Sequence, residues 1–179
     1  MTPADLVRAL TARGLTVATA ESLTGGLVCA TLTEVPGASA VVRGGVVSYA
    51  ADVKASVLGV DPALLARVGA VDGDVAAAMA AGVRDLLGAD LGVATTGVAG
   101  PDPADGQPVG TVYVAVAGPA GTRVERKAFE GDRAQIRRAS VESALRLLAA
   151  DLPNLRDAGD EAGYRGATST TPRAREEAP

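Results

Sequence analysis

One stretch of the chain stands out for chemistry, Ala20-Glu21-Ser22-Leu23-Thr24-Gly25-Gly26, in which a serine hydroxyl occupies a small polar turn. The sequence has no histidine, so neither a Ser-His-Asp nor a Cys-His arrangement can be built, and no histidine can hold a metal. Its single cysteine, Cys29, falls inside a helical pattern, where a small buried hydrophobe is the expected role. A nucleophile would therefore be a hydroxyl, served by a lysine, a tyrosine or a carboxylate as base. Of the 17 basic residues only Lys54 and Lys127 are lysines, and arginine stays protonated. Tyr49 and Lys54 lie close enough in sequence for a strand end and the following turn to bring both to the rim that carries Ser22. Lys127, among Arg123, Glu125 and Arg126, reads instead as a cross-strand ion-pair residue.

Each of these residues also has a plainer reading. A Ser/Thr/Gly-rich turn is common, and a lysine on a short helix is usually a solvated surface group. Glu21 either orients the site or is a satisfied strand-end acid. Arg133 either grips a phosphate with its planar fork or is a surface charge at a helix start.

The elements expected around these residues favour the functional reading. Leu15 to Thr19 is short and apolar, as in a buried strand, and Leu27, Val28 and Leu32 recur at helical spacing up to Pro36-Gly37. Ser22 would then sit at the carboxyl end of a strand, before a helix amino terminus, where open α/β sheets bind ligands. Thr2-Pro3-Ala4-Asp5 opens a first helix that Gly14 ends. Val41 to Tyr49 reads as a second strand in which Gly44-Gly45 marks a bulge or a close backbone approach. Asp52 to Leu58 reads as a short helix carrying Lys54, followed by a connector with one helical turn near Pro62. Asp72 caps a helix closed by Gly88, and Leu91 to Thr95 is another buried strand. The loop from Thr96 to Pro108 is too long for a simple connection and is a candidate binding loop or lid. Thr111 to Ala117 and Thr122 to Phe129 form an antiparallel hairpin, and Asp132 caps the last helix. The sum is an α/β domain, a three-layer α/β/α sandwich whose mixed sheet has parallel βαβ units first and an antiparallel hairpin late. It is expected over residues 1–155, with residues 156–179 a disordered tail, because the tail has no apolar period.

Composition narrows the partners. A net charge of −4 and a pI near 4.9, without a Lys/Arg cluster, leave no footprint for nucleic acid. The 47% hydrophobic share carries only 2% aromatics, and no apolar run reaches membrane-spanning length, so a cytoplasmic protein with no membrane contact is expected.

Four separate segments carry a resemblance: ATAESLTGGLVCATLTEVPGASAVVRGGVVSYAADVKASVLGV, LGVATTGVAGP, PVGTVYVAVAG and FEGDR. In this order and spacing the sequence resembles the CinA carboxy-terminal domain family, whose stand-alone members are nicotinamide-nucleotide amidases. The resemblance implies a cytoplasmic, homo-oligomeric hydrolase. It would convert nicotinamide mononucleotide to nicotinic acid mononucleotide and ammonia in pyridine-nucleotide salvage, with no metal and no cofactor. It puts the family's nucleophile on Ser22 and its assisting tyrosine and lysine on Tyr49 and Lys54. It also places Thr96, Gly97 and Gly100 of the loop, and Arg133, near the substrate. Glu21, Thr24, Gly25 and Gly26 complete the expected substrate-binding set, with backbone N–H groups from Thr24 to Gly26 holding either the oxyanion or the 5′-phosphate. The chain departs from the family at Leu23, commonly cysteine, and at Ala50-Ala51, commonly Ser-Asn. These departures motivate two alternatives, a silent nucleotide-binding or regulatory module and an amidase for another small amide. The larger proteins of the family carry a further amino-terminal domain whose activity is not expected here.

Overall fold

A computed structural model describes residues 1–152; the tail expected from about residue 156 lies outside the described residues. Element order is α1 (Pro3–Arg13), β1 (Val17–Glu21), α2 (Leu27–Thr33), β2 (Val42–Val47), α3 (Ala51–Leu58), α4 (Pro62–Val68), α5 (Gly73–Leu87), β3 (Leu91–Gly97), β4 (Thr111–Gly118), β5 (Gly121–Ala128) and α6 (Arg133–Asp151). The capping signals act as read. Thr2 and Asp5 form a reciprocal capping box on α1, Asp72 caps α5, and Asp132 forms a second box with Gln135 on α6. The connector after Gly59 holds more than the single turn expected: Asp61 caps Pro62–Val68 through Ala63 N–H, and proline at the first helical position pre-sets the backbone.

The five strands form one mixed sheet in the order β2-β1-β3-β4-β5, with β1 parallel to β2 and β3, and β4 antiparallel to both β3 and β5. Helices cover both faces. On one face Leu6, Leu10, Val28, Leu32, Ile136 and Leu148, from α1, α2 and α6, pack on Val17, Val93, Val112 and Val114. On the other, Val75, Met79 and Val83 of α5, with Leu58 of α3, pack on Ala18, Ala20, Ala94 and Ala115. The strands thus alternate large and small residues across the sheet, and the alanine face lets α5 lie close.

Both readings of Gly44-Gly45 hold. The register skips one residue between Val17↔Val42 and Ala18↔Gly44, a bulge, and a Cβ on Gly45 would collide with Thr19 Oγ1 and lie 3.1 Å from Cys29 Sγ. The chain leaves β1 into α2 on one face and leaves β2 into α3 on the other. That divergence opens a crevice at the carboxyl ends of β1 and β2, the topological switch point where ligands bind in such sheets.

Candidate active site

Ser22 stands one residue beyond β1, only 8% exposed, its N–H donating to Thr95 O at 3.0 Å. The turn behind it is held shut by Glu21. This buried carboxylate accepts from the N–H groups of Gly26 (2.9 Å), Val28 (3.0 Å) and Cys29 (2.8 Å), and from Thr19 Oγ1 (3.2 Å). Gly25 and Gly26 make the chain reversal possible, with φ of 61° and 98°. Gly25 N–H donates to Ser22 O at 3.1 Å.

The expectation that N–H groups from Thr24 to Gly26 meet the substrate is therefore corrected for the two glycines. Gly25 N–H is taken by Ser22 O and Leu27 N–H by Thr24 O, while the N–H groups of Gly26, Val28 and Cys29 are satisfied by a carboxylate that the helix dipole favours. The N–H groups that remain are those of Leu23 and Thr24, which find no acceptor among the described residues. Thr24 Oγ1 is buried against Thr95 Oγ1 at 2.7 Å, so its side chain braces the turn after β1 against β3.

Lys54 is the largest fully buried side chain, 0% exposed at the first turns of α3. Its Nζ donates to Ser22 Oγ at 3.1 Å, to Ser48 O at 2.6 Å and to Tyr49 O at 3.3 Å. Burial lowers its pKa from 10.5 to about 8, against an opposing upward pull from the Asp105 carboxylate. An anion sharing the site with Lys54 was not expected. The geometry suits a base. A neutral amine has two N–H donors, and the carbonyls of Ser48 and Tyr49 take both, which leaves the lone pair aimed at the Ser22 hydroxyl.

Tyr49 is placed differently from its expected role beside Ser22. Its ring is 58% exposed and its hydroxyl accepts from Arg133 Nη2 at 2.8 Å, so only its main-chain carbonyl reaches Lys54. Arg133 Nη1 donates to Gly100 O at 2.8 Å, which ties the long loop to the start of α6.

These groups line one cleft of about 220 Å³, with Ser22 and Lys54 beside Thr96, Gly97, Gly100, Asp102, Asp105, Tyr49 and Arg133. Glu21, Thr24, Gly25 and Gly26 stand behind its wall rather than in it. Thr96 Oγ1 donates to Ala70 O at 2.6 Å, so Thr96 fixes the far wall. A larger apolar groove of about 450 Å³, between α1, α2 and α6, contains no serine–lysine pair. Among the described residues no three of the Cys, Asp or Glu side chains gather as metal ligands, and no helix is long and apolar enough to cross a membrane.

Two contributors escaped the sequence reading. Arg137 donates from Nε to Leu23 O and from Nη2 to Thr24 O, both at 2.9 Å, and clamps the turn that carries Ser22. Its signal was its spacing: four residues after Arg133, it shares that residue's helix face. Asp105, in the long loop, accepts from Ala70 N–H at 2.7 Å and faces the cleft.

Residues 2–152 match the model of the CinA C-terminal domain. The chain belongs to this family. A CinA-like protein of Frankia casuarinae is 57% identical over 148 residues, which are 81% of this chain and 34% of that protein. A putative competence-damage inducible protein of Desulforamulus reducens is 49% identical over 75% of this chain and 33% of its own length. The chain thus spans about a third of the length of the curated relatives it matches. Among solved structures, a CinA superfamily protein from Klebsiella pneumoniae is 34% identical with a TM-score of 0.82, covering 87% of this chain and all of that one. The protein CihA from Agrobacterium tumefaciens is 39% identical with a TM-score of 0.78, over 84% of this chain and 95% of that one.

The structure also gives physical places to the residues where the chain departs from the family. Ala50 is the N-cap of α3 and makes no side-chain cap. A serine there reads as a helix cap. Leu23 is 3% exposed and packs in the core, an apolar position that a cysteine would also fill.

Proposed function

We propose that this chain is a cytoplasmic amidohydrolase that converts nicotinamide mononucleotide to nicotinic acid mononucleotide and ammonia, acting as a homo-oligomer in pyridine-nucleotide salvage. The observation that carries the reading is a fully buried lysine whose ammonium nitrogen lies 3.1 Å from Ser22 Oγ, on a backbone scaffold that fixes its orientation. A pKa of about 8 leaves roughly one lysine in ten neutral at pH 7, against a few in ten thousand for a free side chain.

In this mechanism Ser22 Oγ attacks the carboxamide carbon while Lys54 takes its proton. The oxyanion forms against the N–H group of Leu23, the residue after Ser22 in the cleft wall. Lys54 returns its proton to the departing nitrogen, the C–N bond breaks, and ammonia leaves a Ser22 ester. Water, deprotonated by the same amine, then attacks the ester and releases the acid. The Arg133 guanidinium, braced by Tyr49, offers a planar cation for the 5′-phosphate at the cleft mouth. No step calls for a metal or another cofactor. A cleft of about 220 Å³ is below the ~300–1,000 Å³ that encloses a drug-sized ligand, which suits a site that swallows the amide-bearing ring and leaves the phosphate outside.

Ammonia release from nicotinamide mononucleotide by the purified chain tests the proposal. Release that disappears in Ser22→Ala supports it. Tight nucleotide binding without release would favour the regulatory module, and release from other small amides alone would change the substrate.

A further inference from the structure

Asp105 poses a difficulty for the proposed amidase. It lines the same cleft as Lys54 and Ser22, and its charge favours the ammonium form of a lysine that must lose its proton. Its position is built rather than accidental. One carboxylate oxygen accepts from Ala70 N–H, and the residue holds a left-handed φ of 51° just ahead of Gly106. The cleft is also electrically divided, with Arg133 and Lys54 as its cations and Asp102 and Asp105 as its anions. A neutral ring would gain no charge pairing from such a carboxylate. A ring carrying a positive charge would, because it would otherwise enter a cleft that already holds two cationic side chains.

We propose that Asp105 is a specificity-determining residue that selects substrates whose amide-bearing ring is positively charged, as in an N-alkylated pyridinium. The inference rests on the amidase reading and deepens it. A cationic ring seated beside Asp105 offsets the charge that holds the proton on Lys54, so the right substrate helps to free its own base. A neutral isostere leaves that charge uncompensated.

The test measures binding of two ligands by calorimetry in the full chain carrying Ser22→Ala, which prevents turnover. The probes are nicotinamide mononucleotide and benzamide riboside 5′-monophosphate, in which carbon replaces the ring nitrogen and the charge is lost. The expected result is about ten-fold tighter binding of the cationic ligand, as one solvent-screened charge pair supplies. Adding Asp105→Asn, a residue that tolerates the same φ, should erase most of that preference and leave the neutral ligand within about two-fold. Equal affinity for the two ligands, equal weakening of both by Asp105→Asn, or failure of both to bind would overturn the inference. Ammonia release by the unmodified chain is scored separately. Charge-selective binding without release sinks the amidase reading alone, and release with no effect of Asp105→Asn on selectivity sinks this inference alone.

Discussion

The two edges of the sheet each carry one of the chain's two lysines, and they treat it in opposite ways. At the β2 edge the chain turns back through α3 and buries Lys54 completely against main-chain carbonyls and Ser22. At the β5 edge Lys127 stays partly in solvent, 2.8 Å from Glu125. That pair lies within one strand, not across strands as the sequence suggested. Arg123, Glu125 and Lys127 share a face by the two-residue period, while their opposite numbers on β4 are Val116, Val114 and Val112. The pairing lowers the pKa of Glu125, chiefly through its hydrogen bond from Lys127. The two lysines are chemically identical, and what separates them is water. An exposed pair of this kind is worth about 0.2–1 kcal/mol, whereas burial changes which form of Lys54 the protein can hold.

The sharpest way to break this comparison is to exchange side chains at both edges. Lys54→Met and Ser22→Ala should each lower ammonia release by on the order of a thousand-fold or more, and Lys54→Arg, which cannot give up its proton, should be nearly as inactive. Lys127→Met should stay within about two-fold of the unmodified chain, since it touches no reacting group. Near-normal turnover of Lys54→Arg would mean that position 54 supplies only a positive charge, and a large loss in Lys127→Met would erase the contrast between the edges.

The pH profile sharpens the same contrast. The rate should climb about ten-fold per pH unit on the acid side and level off above about pH 8, where Lys54 becomes neutral. Stability follows the same ionisation. Between about 8 and 10.5 the unfolded chain holds a proton on Lys54 that the folded chain does not, so stability should rise with pH across that window. Denaturant melts at pH 7.5 and 9.5 measure it, and in Lys54→Met this component of the rise should vanish.

The two effects expected to be smaller concern the scaffold. Glu21→Gln removes the charge from a carboxylate that accepts from three main-chain N–H groups and should cost about 3 kcal/mol in a denaturant melt. A change below 1 kcal/mol would show that the turn holds without it. Ala50→Ser should add about 1 kcal/mol by supplying the missing cap of α3, with turnover unchanged. A fall in turnover would tie position 50 to the substrate.

Local signals in the sequence determined most of the elements here. Capping residues at Thr2, Asp72 and Asp132, stops at Gly14 and Gly88, and the hairpin near Pro119 need only short-range hydrogen bonds and backbone preference, so they can be read residue by residue. The serine turn and Lys54 were legible as well, because the absence of histidine left few groups able to act. What lay beyond the sequence was direction. Whether Glu21 faces the substrate or the helix behind it, whether the Tyr49 hydroxyl meets Ser22 or Arg133, and whether Asp105 lies beside Lys54 all depend on how distant segments pack. Charge and hydrogen-bonding type are properties of a residue, but the water around it and the group opposite it belong to the folded chain. Those two quantities leave one lysine with a lowered pKa beside a serine hydroxyl and the other a surface ion.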